Sequence, residues 1–464
     1  MAASHHTSRR DFLRASVLAS AVFGADKSLA ASATRKSSEN RGTARNVIFM
    51  VSDGMNHGAL SLSRQYQNFI LQREAHWNRL YREQPVVRCL AETFSANSCV
   101  TDSAAAASAW GGGQRVPNGF LNVLADGTKV PTIHEKLRNN GRKTGLVTTA
   151  TVTHATPAGF AANVDSRADE TLIARQYLER RVDVLLGGGQ KFFDAGLRGE
   201  YAAAGYDVFD DRHALTHAKH DALKPMLGIF SESHQPYSID RSHVPAIAGQ
   251  VPTLSEMAQA ALDRLQHGKD GFFLLIEGAR IDHAGHSNDA AASIHEQAAF
   301  DDAIGTVLAF IEKHPDTLLV ITTDHGCGGI QMNGVSVKGD QEFAPGVYNA
   351  SNACFDRLRG FTRSFEWMKQ NGLNSLSGPK LGEVIKQFTG LEFTAEQLKI
   401  AQGLKPDGKA AFQAHTGIGW TSGNHTGELV EFCAYGPGSQ SFPAFIRNFE
   451  VHNHILKAFG IGAG

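Results

Sequence analysis

The sequence predicts an α/β fold: a three-layer α/β/α sandwich with a large, mostly parallel central sheet and an inserted excursion near the mouth of the site. Three observations predict it. Short apolar, β-branched runs recur at Asn46–Ser52, Thr144–Thr149, Val182–Leu186, Phe272–Ile276 and Leu318–Thr323. Amphipathic stretches lie between them, at Thr132–Asn140, Glu170–Arg181, Ser255–Gln266 and Ile294–Lys313. Strand–helix alternation of this kind builds a parallel sheet with helices on both faces. Between His325 and His425 the pattern gives way to chain rich in Gly, Ser, Asn and Lys, with a few helical pieces such as Leu381–Thr389. We expect residues 326–414 to leave the sheet and the chain to rejoin it around Leu429–Tyr435.

The chain opens on a targeting pattern. Ser8-Arg9-Arg10-Asp11-Phe12-Leu13-Arg14 carries twin arginines, and a short Ala/Leu/Val stretch leads to a small-residue cleavage site at Ala31-Ser32-Ala33 or Ser28-Leu29-Ala30. Residues 1–33 are thus expected to be a twin-arginine signal peptide. That makes the twin-arginine export machinery a partner and a periplasmic or secreted location the destination. The apolar stretch is too short to span a bilayer, and no later segment reads as a membrane span.

Of 464 residues, 42% are hydrophobic and 20% charged, which suits a globular chain with a large core. The net charge is −1 and no Lys/Arg block follows the N-terminus, which argues against nucleic acid or a charged membrane surface as a partner. The five cysteines include no Cys-x-x-Cys pair, so a zinc–thiolate site is not expected. An oxidising destination permits one or two disulfides at most, which the sequence does not pair.

The first run ends at Asp53, the fourth at Glu277 and Asp282, and the fifth at Asp324-His325. His286 lies four residues beyond Asp282, and His425 sits in Ser422-Gly423-Asn424-His425-Thr426-Gly427. In open α/β sheets ligands bind beyond the carboxyl ends of the strands. Carboxylates and imidazoles gathered there suit divalent metals, so their convergence implies a polynuclear metal site and a hydrolase. If the Asp282–His286 stretch is helical, its spacing of four puts both side chains on one face. Thr101-Asp102-Ser103 precedes an alanine run that reads as a helix start. Ser103 at or near that start would meet exposed N–H groups that favour an anion, although taken alone the segment reads first as a simple cap by Asp102 or Ser103. There is no Gly-x-Ser-x-Gly elbow. The glycine triplets Gly111–Gly113 and Gly187–Gly189 lack a following Lys-Ser/Thr and are expected to be tight connections, not a phosphate loop. Arg167 is unremarked by composition and reads alone as a surface arginine.

Order and spacing together say more. From about residue 45 to 460 the chain resembles the alkaline phosphatase family. The resemblance is carried by Val51-Ser52-Asp53-Gly54-Met55, Thr101-Asp102-Ser103-Ala104, His154-Ala155-Thr156-Pro157 through Arg167, Glu277 through His286, Thr322-Thr323-Asp324-His325-Gly326, and Asn424-His425-Thr426-Gly427. It implies one catalytic domain over residues 45–464, acting on small phosphomonoesters through a phosphorylated Ser103. It implies two Zn²⁺, one held by Asp282, His286 and His425 and the other by Asp53, Asp324 and His325. It further implies a Mg²⁺ held by Asp53, Thr156 and Glu277. Arg167 would bind the phosphoryl group and Asp102 would orient it. Histidines His154 and His283 stand where one bacterial branch has Asp and Lys, and would modulate the third metal and the phosphate. The resemblance also raises a homodimer, whose contacts the motifs do not specify.

Overall fold

The computed structural model describes residues 43–219, 224–336, 347–402 and 406–462. The targeting pattern at residues 1–33 lies outside them. Along the chain run β1 (Asn46–Val51), β2 (Val87–Ala91), β3 (Lys143–Thr151), β4 (Val184–Gly188), β5 (Asp207–Phe209), β6 (Met226–Ile229), β7 (Phe272–Glu277) and β8 (Thr317–Thr322). Four short strands follow, β9 (Gly326–Cys327), β10 (Gln331–Met332), β11 (Ile418–Gly419) and β12 (His425–Thr426), then β13 (Val430–Tyr435) and β14 (Phe445–Ile446).

Ten of these strands form one sheet in the order β14-β2-β13-β8-β1-β7-β3-β4-β6-β5. Only β13 is antiparallel to its neighbours, β2 and β8; every other adjacent pair is parallel. The five strands expected from apolar runs are the contiguous centre, β8-β1-β7-β3-β4, and β13 rejoins the sheet where Leu429–Tyr435 was expected to. The strands without a long apolar run, β2, β5, β6 and β14, lie at the two flanks.

Period-2 alternation explains the two helical layers. All six residues of β1 are buried. Ile48 and Met50 join the core beneath helices Leu254–Leu265 and Ala290–Lys313. Val47, Phe49 and Val51 join the opposite core, beneath helices Ser103–Gly112, Ala155–Ala161 and Glu170–Glu179. Burying such a side chain contributes about 1.5–3 kcal/mol, so a strand apolar on both faces is held between layers.

The glycine triplets differ from expectation. Gly111 and Gly112 lie within helix Ser103–Gly112, and Gly187 and Gly188 lie within β4. The reason is close packing: a Cβ on Gly111 would lie 1.9 Å from the carbonyl oxygen of Gly159, on the neighbouring helix. Only the third glycine of each triplet ends its element, Gly113 at φ +77° and Gly189 at φ +108°.

The excursion carries helices Ser351–Asp356, Phe365–Gln370, Gly378–Thr389, Ala395–Ala401 and Pro406–Thr416. Its Phe355, Phe365, Leu381 and Ile385 share one apolar core with Ile48 and Met50 of the sheet. Ser364 donates to Asp240 through its N–H (2.8 Å) and its hydroxyl (2.6 Å), and Phe365 N donates to Asp289 at 2.6 Å. The segment is thus packed onto the fold by buried apolar and charged contacts. The described residues contain no helix long and apolar enough to cross a membrane, and all five cysteines are free.

Candidate active site

Four adjacent strands, β8, β1, β7 and β3, deliver side chains to one edge of the sheet. Val51 is in register with Glu277 on one side and Thr322 on the other, and Glu277 is in register with Thr148. Asp53, Glu277, Asp324 and His325 therefore emerge side by side, all buried. Beyond β7 the chain turns into helix Arg280–His286, whose spacing brings His286 Nε2 to 3.3 Å from Asp282 Oδ2. His425 reaches the same carboxylate from β12, 3.5 Å from Asp282 Oδ1. His425 Nδ1 donates to the carbonyl of Thr101 at 2.8 Å, and His286 Nδ1 to that of Gly423 at 2.7 Å. Each imidazole is thereby oriented with Nε2 towards Asp282.

Three clusters of metal-type donors result: Asp282, His286, His425 and Cys327; Asp53, Asp282 and His325; and Asp53, Glu277 and His154. Within each, the donor atoms lie within 4.8 Å of one another. Both oxygens of Asp53, Oε1 of Glu277, Oδ1 of Asp282 and Oγ1 of Thr156 are buried without a hydrogen-bond partner. Leaving such groups unpaired costs free energy, and four converging carboxylates repel one another. Burial, then the charges of Asp324, Asp282 and Glu277, pushes the Asp53 carboxyl well above the ordinary range. Burial pushes Glu277 up to about 7, although Thr148 donates to its Oε2 at 2.5 Å. Asp282 runs the other way: burial opposes its ionisation, but the hydrogen bond from His286 and the charge of His325 hold it well below the usual range. Divalent cations relieve this repulsion and satisfy the orphaned oxygens, so the donor set fits them.

Ser103 opens helix Ser103–Gly112, and Asp102 caps it, Oδ1 accepting from Ala105 N at 3.0 Å. Of the two residues that could cap this helix, Asp102 is the cap and Ser103 is the first, buried residue of the helix. The Ser103 hydroxyl lies 3.3 Å from His325 Nε2. The second oxygen of Asp102 accepts from Gly119 N (3.0 Å) and from Arg167 Nη1 (3.1 Å). Arg167 is therefore no surface arginine but a cation fixed beside the serine. A hydroxyl at a helix N-terminus, a held guanidinium and a cluster of candidate cation donors together suit an anion such as phosphate.

Residues 44–461 match the alkaline phosphatase family. The chain belongs to the alkaline phosphatase family. Its members are phosphomonoester hydrolases. The chain is 31% identical to alkaline phosphatase 3 of Bacillus subtilis, over 92% of each chain. It is 34% identical to the streptomycin-6-phosphate phosphatase of Streptomyces griseus, over 68% of this chain and 81% of that one. The crystal structure of Thermus thermophilus alkaline phosphatase superposes with a TM-score of 0.83 at 31% identity, covering 93% of this chain and 95% of that one.

On this alkaline phosphatase frame His154 and His283, singled out by the resemblance, lie beside the donor clusters as well. His154 Nε2 accepts from Arg167 Nη2 at 3.0 Å, while its Nδ1 is buried without a partner. It therefore stands among the donors Asp53 and Glu277 as well as beside the arginine. His283 lies behind it with ring centroids 5.6 Å apart, and its Nδ1 accepts from Arg280 Nη1 at 2.7 Å. Arg280 is itself held by Glu366 of the excursion, at 2.7 Å. Burial, then the charge of Arg167 for His154 and of Arg280 for His283, holds both rings well below the usual histidine range, so both are neutral. Sequence reasoning missed His234, whose ring packs 4.4 Å from His283, and Cys327. No motif marks His234. Cys327 had a signal, two residues past His325 at a strand end that carries candidate donors, but the missing Cys-x-x-Cys pattern obscured it.

Proposed function

We propose that this chain hydrolyses phosphate monoesters through a phosphoserine at Ser103. The single observation that carries the reading is the Ser103 hydroxyl at a helix start, 3.3 Å from His325 Nε2, with Arg167 anchored to the cap of the same helix. In the first step the Ser103 O–H bond breaks, its proton passes to solvent and Oγ bonds to phosphorus; the ester P–O bond breaks, and the leaving oxygen takes a proton from water to depart as the alcohol. In the second, water gives up a proton and bonds to phosphorus, the Ser103 O–P bond breaks, Oγ takes up a proton to restore the hydroxyl, and inorganic phosphate is released.

Arg167 forks onto two non-bridging phosphoryl oxygens, a geometry that lysine cannot match. A dianionic monoester gives that fork a better partner than a diester. Asp102 holds the fork in place, and the helix N-terminus adds N–H groups to the phosphoryl oxygens. Asp282, His286 and His425 would hold one Zn²⁺, Asp53, Asp324 and His325 a second, and Asp53, Glu277 and Thr156 a Mg²⁺, with His154 at its edge. Bound there, such ions would lower the pKa of serine and water and would neutralise charge that develops on phosphoryl and leaving oxygens. Neutral His154 and His283 leave Arg167 as the cation facing the phosphate from their side. The twin arginines at Arg9 and Arg10 support export by the twin-arginine route to the periplasm or exterior.

Purified protein with Zn²⁺ and Mg²⁺ should hydrolyse p-nitrophenyl phosphate far faster than its bis-ester or p-nitrophenyl sulfate. Preference for the bis-ester or the sulfate, or no turnover of the monoester, overturns the reading.

A further inference from the structure

We propose that the sulfur of Cys327 is a fourth protein donor to the divalent cation held by Asp282, His286 and His425, an inference that rests on the metal reading above. Two features of the fold aim the thiol at this cation. Cys327 on β9 is directly in register with His425 on β12, and residues paired across an antiparallel ladder project from the same face. On the other side, Gly285 lies between Asp282 and His286 on their helix, and a Cβ there would come within 2.9 Å of Cys327 Sγ. Glycine at that position lets the sulfur settle between two ligands of one helix. The outcome is a compact set, with Sγ, a carboxylate oxygen of Asp282 and one nitrogen each from His286 and His425 within 4.8 Å of one another.

A second observation points to a shared ligand. Asp282 is 4% exposed and its Oδ1 has no hydrogen-bond partner, so a buried anion and a buried thiol face the same space. Cys327 is itself only 1% exposed and forms no disulfide. When the cation enters, the S–H bond breaks, the proton passes to solvent and an S–metal bond forms. The resulting carboxylate, two-imidazole and thiolate set selects borderline and soft ions such as Zn²⁺, Co²⁺ and Cd²⁺ over Mg²⁺ or Mn²⁺. This departs from the expectation that no cysteine takes part in metal binding here: one thiolate joins harder donors without a Cys-x-x-Cys pair.

The test is cobalt substitution of the full mature protein, reading metal content and absorption together. The wild type should take up Co²⁺ and show a near-ultraviolet thiolate-to-cobalt charge-transfer band, and Cys327→Ser should bind Co²⁺ yet lose that band. Co²⁺ bound without the band in the wild type overturns the proposal, as does a band undiminished in Cys327→Ser. If the variant does not fold, zinc-edge X-ray absorption of wild-type protein decides, since a Zn–S shell at about 2.3 Å is either present or absent. Failure to take up Co²⁺ or Zn²⁺ at all overturns the metal reading itself, and with it this proposal.

Discussion

Arg167 Nη1 lies 3.1 Å from Asp102 Oδ2, while the other oxygen of the same carboxylate caps the helix that begins at Ser103. One side chain thus fixes the arginine and the serine helix relative to each other. Asp102→Asn keeps a good N-cap but removes the charge that holds the guanidinium. It should weaken inhibition by inorganic phosphate about tenfold, which is about 1.4 kcal/mol, with little change in melting temperature. Asp102→Ala should weaken phosphate equally and also cost about 1 kcal/mol of stability. Equal phosphate affinity in wild type and Asp102→Asn would show that Asp102 serves only as a cap.

Ser103→Ala separates bond-making from binding. The variant should lose at least about 10³-fold in kcat and give no acid-stable phosphoprotein after brief exposure to labelled substrate, yet still bind phosphate. A labelled protein that survives the substitution would place the nucleophile elsewhere.

Arg167→Ala should raise the phosphate inhibition constant roughly 10- to 100-fold, because charge-assisted bidentate bonds of this type contribute about 1.5–3 kcal/mol. Arg167→Lys should recover little of the loss, since a single ammonium cannot fork. Metal content should stay at the wild-type level in both. Loss of bound zinc from Arg167→Ala would mean that the arginine supports the ligands and not the phosphate.

The four carboxylates of Asp53, Glu277, Asp282 and Asp324 converge inside the fold, with orphaned oxygens on Asp53, Glu277 and Asp282. A cation present at 100 times its dissociation constant adds about 2.7 kcal/mol to stability, so chelation should lower the melting temperature as well as abolish activity. Zn²⁺ with Mg²⁺ should restore both. An unchanged melting curve after complete metal removal, measured by calorimetry and elemental analysis, would contradict the fit between this donor set and cations.

What the sequence disclosed follows the strength of each physical signal. The central strands β8, β1, β7, β3 and β4 are buried on both faces, and that burial writes itself into near-continuous apolar runs. Flanking strands such as β2, with Arg88 and Leu90 exposed, carry no such run and were not foreseen. The candidate metal donors followed the same logic, because Asp53, Glu277, Asp324 and His325 stand where runs end. Arg167 was legible only through the order of motifs, since its meaning lies in a contact with Asp102 across 65 residues. His234 was invisible for the same reason: what brings it to His283 is tertiary packing, which leaves no local pattern.

Away from the proposed metal donors, His452 gives the fold a pH dependence of definite sign. It is 1% exposed, its Nδ1 donates to the carbonyl of Trp110 at 2.9 Å, and its Nε2 accepts from Lys136 Nζ at 2.9 Å. Burial, then the Lys136 charge, lowers it to about 4. The unfolded chain, with an ordinary histidine near 6.5, takes up a proton that the folded ring refuses. Its contribution is therefore flat above about pH 6.5 and is lost as pH falls towards 4, by about 2 kcal/mol between pH 7 and 5 at 1.36 kcal/mol per unit. His452→Gln offers one donor and one acceptor to the same partners but cannot titrate. Its unfolding free energy should fall less steeply between pH 7 and 5 than that of the wild type, by about that amount. Parallel denaturation curves for the two proteins across this range would mean that the folded ring accepts the proton after all, displacing Lys136 to do so.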